Sequence, residues 1–160
     1  VFPGIAADDL SAMPAIADVL AGIDPATVAA GPDAESRPWV SDLAARLGLE
    51  FVVGRKTRSS DRSVAIDFDD WAAIAGRPVL LVDDIVSSGG TLTSAAKTLR
   101  AAGASAIDAV VTHALFPPGM ADEFARAGIR SMRSTSSVPH PTNAIPLDAV
   151  LAAALRSELT

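Results

Sequence analysis

Apolar positions along the chain follow two alternating spacings, and this alternation predicts an α/β domain. Apolar residues three or four positions apart mark amphipathic helices, and short apolar runs between them mark strands. Because strands and helices alternate with short connections, the pattern predicts a mostly parallel, twisted sheet flanked by helices. The predicted helices cover residues 9–20, 36–47, 91–102, 118–127 and 147–159, and the predicted strands cover residues 27–30, 49–53, 64–68, 78–82, 107–112 and 129–133.

Polar residues and glycines set the expected ends of these elements. Asp8 or Asp9 is expected to cap the first helix, and Gly48 and Gly128 are expected to end the second and fourth helices. The segment RKTRSSDRS at 55–63 has no apolar side chain, so it is predicted to be a loop. No internal repeat or linker interrupts the pattern, which predicts a single domain over residues 1–160.

Composition and charge argue against several classes of protein. The 160 residues include 13 basic and 19 acidic side chains, which gives a net charge of −6 and argues against general nucleic-acid binding. No apolar run reaches the roughly 18–20 residues that span a bilayer, so a membrane protein is not expected. The chain has no cysteine, which excludes a disulfide scaffold and a thiolate metal site and fits the cytoplasm.

The string DDIVSSGGT at 83–91 joins a strand to a helix and carries the clearest chemical signal. Free amides at a helix N-terminus bind anions, glycines let a ligand approach the backbone, and hydroxyl groups add donors. These features predict a phosphate cradle, whereas the two carboxylates suit a sugar diol or Mg²⁺. The spacing predicts binding of a ribose 5-phosphate. The cradle comprises Ser87, Ser88, Gly89, Gly90 and Thr91, and the carboxylates are Asp83 and Asp84.

Common nucleotide-binding motifs do not explain this string. A GxxxxGK[ST] loop needs a lysine before its last hydroxyl residue, but Gly90 precedes Thr91 here. The chain also contains no GxGxxG.

VLLVDDIVSSGGT at 79–91 resembles the ribose-phosphate-binding signature of the type I phosphoribosyltransferase fold. It is most similar to the version found in ribose-phosphate pyrophosphokinases. The resemblance implies that Asp83 and Asp84 engage the ribose hydroxyls and that residues 87–91 hold the 5-phosphate.

Further segments in the same order resemble the C-terminal half of those synthetases, and together they cover nearly the whole chain. Residues 2–20 resemble the start of that half, and VTHALFP at 111–117 resembles a later segment. GPDAESRPWV at 31–40 resembles the pyrophosphate loop, which makes Asp33 a candidate ligand, although the usual Gly-Gly pair after it is absent. GRKTRSSDRSV at 54–64 resembles the flexible catalytic loop, which implies catalytic roles for Lys56 and Arg58.

The resemblance implies a ribose-phosphate diphosphokinase reaction, in which diphosphate passes from ATP to C1 of ribose 5-phosphate with Mg²⁺ and forms phosphoribosyl pyrophosphate. It also implies a homo-oligomer and a protein about twice this length. The chain opens on VFPG rather than methionine, which fits a fragment or a processed chain.

Two alternatives remain open. A nucleobase phosphoribosyltransferase usually places an aromatic or lysine hood over the base, and this chain has no tyrosine. A non-catalytic phosphoribosyl-binding module has less need of Lys56 and Arg58. His113, at the end of a predicted strand, is interpreted as a core or rim residue, and Trp39 and Trp71 are interpreted as packing residues.

Overall fold

The computed structural model describes residues 9–58, 64–68 and 70–158, which form one seven-stranded sheet with helices on both faces. The strand order is β3-β2-β1-β4-β5-β6-β7. Every neighbouring pair is parallel except β2 and β3, which are antiparallel. The prediction of a mostly parallel α/β sheet is therefore confirmed. The strands are β1 Val28–Gly31, β2 Glu50–Arg58, β3 Val64–Phe68, β4 Pro78–Val86, β5 Ala106–Ala114, β6 Ile129–Thr135 and β7 Asn143–Ile145.

The described residues also form six α-helices and two short 3-10 turns. The 3-10 turns, Ala34–Ser36 and Pro118–Met120, lead directly into α2 and α5. Gly48 and Gly128 both follow a helix in the left-handed conformation, with φ of 68° and 106°, so they end the helices as predicted. The α-helices are α1 Met13–Val19, α2 Arg37–Leu47, α3 Trp71–Ile74, α4 Gly90–Ala101, α5 Ala121–Ala127 and α6 Asp148–Glu158.

The core lies on both faces of the central strands. In β4, Val79 and Leu81 point to one face and Leu80 and Val82 to the other, since side chains alternate along a strand. Helices α4 and α5 cover the first face, and α1 and α2 cover the second. Burial on both faces explains why strand β4 begins as a continuous apolar run. No described helix is long and apolar enough to cross a membrane.

The strand order creates a crevice at the carboxyl ends of β1 and β4. The chain leaves β1 through α2 to reach β2 on one side, whereas β4 pairs with β1 on the other side. Such a reversal is where ligands bind in open α/β sheets. The segments after β1 and after the apolar part of β4 therefore lie together, and these are the segments that carry the candidate residues.

The predicted loop at 55–63 is wrong in its first part. Residues 55–58 continue strand β2 and pair with β3, in the register Lys56 with Ile66 and Thr57 with Ala65. Residues 55–58 extend past the end of β1 and pair with β3 alone, and such a two-stranded extension forms backbone hydrogen bonds without apolar side chains, which is why the polar composition was misleading. Residues 59–63 lie outside the described residues.

Other boundaries also differ from the prediction. Helix α1 begins at Met13 rather than near Asp9, because Pro14 occupies its first turn and Ser11 Oγ accepts from the Met13 amide at 3.2 Å. Strand β4 runs to Val86 and so includes the two aspartates. Asp8 and Leu159, the other predicted helix ends, lie outside the described residues.

Candidate functional site

The predicted phosphate loop leads from β4 into the N-terminus of α4. Gly89 adopts the left-handed conformation, with φ of 73° and ψ of −6°, and precedes the first helical residue, Gly90. Among the described residues, no side chain caps this helix end. Its first amides therefore remain available to an anion at the positive end of the helix dipole, beside the hydroxyl groups of Ser87, Ser88 and Thr91.

Gly89 and Gly90 have different structural requirements, and this difference is testable. A Cβ on Gly89 would lie 2.8 Å from both Met120 Cε and Phe124 Cε1, whereas one on Gly90 would meet only Ser88 Oγ, at 3.8 Å. Gly89→Ala is expected to lower the free energy of unfolding by about 2–3 kcal/mol, because left-handed strain adds to overpacking. We expect a Tm decrease of about 5–10 °C by calorimetry.

Gly90→Ala is the matched control for this prediction. It changes the neighbouring glycine but adds no clash and no positive φ, so its free energy of unfolding should stay within about 0.5 kcal/mol of the wild type. Equal stability of the two variants would contradict the role assigned to the left-handed turn.

The acidic pair lies at the end of β4, beside the phosphate loop. Both aspartates are half-buried, and Asp83 Oδ1 accepts a hydrogen bond from the Asp84 amide at 3.0 Å. Burial, followed by the negative charge of Asp84, raises the pKa of Asp83 to about 7, and the more distant charge of Asp33 acts in the same direction. The site therefore concentrates negative charge that a bound hydroxyl donor or cation would relieve.

Lys56 connects the phosphate loop to the loop after β1. Its Nζ donates to Thr91 Oγ1 at 3.2 Å and lies 3.9 Å from Asp33 Oδ2. Strand β2 extends past the end of β1, and its pairing with β3 supports the extension. The ammonium is therefore held where a phosphate bound to residues 87–91 would meet a positive charge.

Close backbone packing fixes the position of Asp33. A Cβ on Gly54 would lie 2.6 Å from the Pro32 carbonyl oxygen, so only glycine allows β2 to approach the loop after β1 this closely. The Ser36 hydroxyl donates to the Asp33 carbonyl oxygen at 2.6 Å, and Asp33 Oδ1 accepts from the Glu35 amide at 3.1 Å. Asp33 thus caps the 3-10 turn with one carboxylate oxygen and faces Lys56 with the other.

The acidic pair, Lys56, Asp33 and most of the phosphate loop line one cleft of about 210 Å³, which we call the phosphate cleft. The structure brings together most of the predicted site residues there. Gly90 begins helix α4 behind the loop and is not among the lining residues, and Arg58 ends β2 with a side chain outside the described part of the structure. The predicted residues that line it are Asp33, Lys56, Asp83, Asp84, Ser87, Ser88, Gly89 and Thr91.

Sequence reasoning missed two parts of this region. Glu35 and Trp39 also line the phosphate cleft. Both residues follow β1 at the carboxyl edge of the sheet, where ligands bind in such folds, and this position could have identified them. A larger cleft of about 470 Å³, which we call the apolar cleft, adjoins it and shares Asp84 and Trp39. Its walls come from segments far apart in the sequence, so no local pattern predicts it.

The donor set fits Mg²⁺ only when a ligand contributes oxygen atoms. The described residues contain no group of three or more His, Cys, Asp or Glu side chains arranged to hold a metal ion. Asp83 and Asp84 nevertheless place two carboxylates side by side in the cleft. Mg²⁺ is commonly held by one or two carboxylates together with substrate phosphates, and this arrangement fits that pattern.

Comparisons with known proteins show which family this chain is similar to. Residues 11–138 match the family model described as the phosphoribosyl transferase domain. Ribose-phosphate pyrophosphokinase from Methanopyrus kandleri is 35% identical over 114 residues, which cover 71% of this chain and 39% of that protein. The enzyme of the same name from Methanobrevibacter smithii is 28% identical over 171 residues, which cover 97% of this chain and 56% of that protein.

A solved structure has the same fold. Phosphoribosylpyrophosphate synthetase from Mycobacterium smegmatis superposes with a TM-score of 0.71 at 24% identity, over 92% of this chain and 49% of that one. The chain thus spans only about half the length of these relatives. The family model covers most of the chain, and the structure brings the phosphate loop and its acidic pair into one cleft. The chain belongs to the phosphoribosyl transferase domain family.

Proposed function

We propose that this chain supplies the ribose-phosphate site and a catalytic cation of a ribose-phosphate diphosphokinase. In that reaction the C1 hydroxyl oxygen of ribose 5-phosphate forms a bond to the β-phosphorus of ATP. The bond between that phosphorus and the α-phosphate oxygen breaks, the hydroxyl proton is released, and AMP and phosphoribosyl pyrophosphate are formed. The proposal rests above all on one observation: Lys56 Nζ lies 3.2 Å from Thr91 Oγ1, beside the acidic pair.

Each part of the phosphate cleft has a role in this proposal. Residues 87–91 bind the 5-phosphate through amides and hydroxyl groups. Asp83 and Asp84 accept hydrogen bonds from the ribose hydroxyls. Lys56, together with Arg58 on the same strand, offsets the charge that spreads over the phosphoryl oxygens during transfer. Asp33 holds Lys56 in place before the diphosphoryl group arrives, since its Oδ2 lies 3.9 Å from Nζ.

Mg²⁺ would be held by Asp83 and Asp84 together with ligand oxygens. When bound, it would neutralise phosphate charge. Burial and the Asp84 charge raise the pKa of Asp83 to about 7 in the ligand-free chain, and a bound cation would favour its ionised form.

The relatives favour this function over the two alternatives. The curated relatives described above carry the name ribose-phosphate pyrophosphokinase. Because the chain spans about half of those relatives, we propose that it forms the C-terminal half of a longer, cytoplasmic, homo-oligomeric synthetase.

The test is a product assay on the natural protein that contains this chain. Incubation with ATP, ribose 5-phosphate and Mg²⁺ is expected to yield AMP and phosphoribosyl pyrophosphate in equal amounts. A parallel reaction supplies phosphoribosyl pyrophosphate with adenine, guanine or uracil. Base-dependent diphosphate release in that reaction, without AMP formation in the first, would overturn the proposal in favour of a nucleobase phosphoribosyltransferase.

A further inference from the structure

The strand pair that carries Lys56 is attached to the rest of the sheet along only part of its length. Residues 55–58 extend past the end of β1 and pair with β3 alone. Strand β3 ends the seven-stranded order, so it has a strand neighbour on one side only. Because a two-stranded ribbon is only marginally stable by itself, the position of Lys56 depends on what packs against this ribbon.

Helix α4 holds the ribbon through two threonine hydroxyl groups on one of its faces. Thr91 and Thr98 are separated by about two helical turns, or roughly 10 Å along the axis, so both side chains project from the same face. Thr91 Oγ1 accepts from Lys56 Nζ at 3.2 Å. Thr98 Oγ1 donates to the Ile66 carbonyl oxygen at 2.9 Å, and Ile66 is the residue paired with Lys56 across the two strands. One helix face therefore contacts both the ammonium group of Lys56 and the strand that supports its backbone.

The hydrogen bond between Thr98 and Ile66 lies where water cannot easily replace it. A hydroxyl group has one proton and a carbonyl oxygen can only accept, so the Thr98 proton is directed at Ile66. Ile66 is only 4% exposed and belongs to the same apolar cluster as Ala95 and Leu99 of α4. Removal of the hydroxyl group would therefore leave the carbonyl oxygen without that donor and with little access to solvent.

We propose that Thr98 is a positioning residue for Lys56 and that it acts through Ile66. Its hydroxyl group ties β3 to α4, the helix that begins at the phosphate loop, and so keeps the Lys56 ammonium aligned with a phosphate bound there. The inference rests on the proposed function, which gives Lys56 its part in diphosphoryl transfer. Thr98 itself lines neither the phosphate cleft nor the apolar cleft.

Thr98→Val tests this role, because valine has nearly the shape of threonine but no hydroxyl group. In the natural protein that contains this chain, kcat is expected to fall about tenfold, since a small displacement of a catalytic group is costly. The KM for ribose 5-phosphate should change by less than about twofold, because residues 87–91 still bind the 5-phosphate. Thr98→Ser keeps the hydroxyl group and should retain most of the wild-type kcat.

Thr93→Val is the matched control on the same helix. Thr93 is buried, but its Oγ1 has no hydrogen-bond partner among the described residues. The same exchange of hydroxyl for methyl should therefore leave kcat near the wild-type value. A loss of kcat equal to that in Thr98→Val would assign the effect to helix packing and would overturn the proposal.

The effect of Thr98→Val is expected to disappear when Lys56 is absent. In a Lys56→Ala background, Thr98→Val should cause no further loss of kcat, because the group that it positions has been removed. A residue that only supports the fold would lower kcat again in that background. A further loss of about tenfold there, or an unchanged kcat in the single variant, would refute the positioning role.

Amide hydrogen exchange separates this inference from the proposed function, because it requires no activity. In Thr98→Val the backbone amides of β2 and β3 should exchange about fivefold faster, which is the effect expected from the loss of one hydrogen bond. Thr93→Val should leave these rates unchanged. Unchanged exchange in Thr98→Val would overturn the inference, whereas failure of the natural protein to form AMP and phosphoribosyl pyrophosphate would overturn the proposed function.

Discussion

Replacing Lys56 with alanine is expected to lower kcat for diphosphoryl transfer by about 10²–10³-fold, because it removes a preorganised cation from the developing phosphoryl charge. Lys56 Nζ is already held near the phosphate loop by Thr91, at 3.2 Å. The stabilisation therefore involves little reorganisation during the reaction. Steady-state kinetics on the natural protein that contains this chain measures the effect, with ATP and ribose 5-phosphate varied separately.

The expected loss lies in kcat rather than in KM for ribose 5-phosphate. The amides and hydroxyl groups of residues 87–91 remain in Lys56→Ala and still bind the 5-phosphate. Lys56→Arg should restore part of the rate, since it keeps the charge in a different geometry. Lys97→Ala is the matched control, because Lys97 is exposed on α4 and lines none of the described clefts. Unchanged kcat in Lys56→Ala would refute the catalytic role.

Asp83→Asn is expected to stabilise the ligand-free chain, by up to about 4 kcal/mol at pH 8. Burial and the Asp84 charge raise the pKa of Asp83 from 3.8 to about 7, so the folded state binds this proton more tightly than the unfolded state. Below pH 3.8 the carboxyl is protonated in both the folded and the unfolded state, so it does not change the free energy of unfolding. Between pH 3.8 and 7 the carboxyl ionises in the unfolded state but not in the folded state, which lowers the free energy of unfolding progressively. Above pH 7 this lowering is complete.

Urea unfolding at pH 5 and pH 8 tests the direction of this pH dependence. The gain from Asp83→Asn should be about 1–2 kcal/mol at pH 5 and larger at pH 8, because asparagine does not ionise. Asp122→Asn, an exposed change on α5, should alter stability by less than about 0.5 kcal/mol at both values. A gain that is equal at both pH values would contradict the titration of Asp83. The same variant should bind ribose 5-phosphate more weakly, so stability and ligand binding are expected to change in opposite directions.

Much of the fold could be predicted from local sequence patterns that have a clear physical cause. Strand β4 is buried on both faces, so its continuous apolar run identified it without tertiary information. Helices α2 and α4 carry clear apolar stripes and were predicted within a residue. Strand β7, with three residues, and helix α3, with four, were missed because such short elements depend on neighbours rather than on periodicity.

Part of the candidate site could likewise be predicted from the sequence, and part could not. Parallel strands bring their carboxyl ends to one edge, so the sequence alone predicts that the segments carrying Asp33 and Asp83 converge. The contact between Lys56 and Thr91 depends on how far β2 extends beyond the sheet edge. The orientation of the His113 ring likewise depends on Ser137, 24 residues away, and residue spacing does not encode that hydrogen bond.

The tight approach of Gly54 to the Pro32 carbonyl oxygen fixes where strand β2 crosses the loop after β1. The contact is between backbone atoms, and a Cβ at position 54 would also lie 2.7 Å from Ile66 Cγ2. Any side chain at position 54 would force β2 away from the loop that carries Asp33, and Lys56, two residues farther along the strand, would move with it. A residue that lines neither cleft therefore sets how far the lysine stands from the phosphate loop, and the reach of this cation is tuned by backbone packing rather than by the ligand-binding residues themselves.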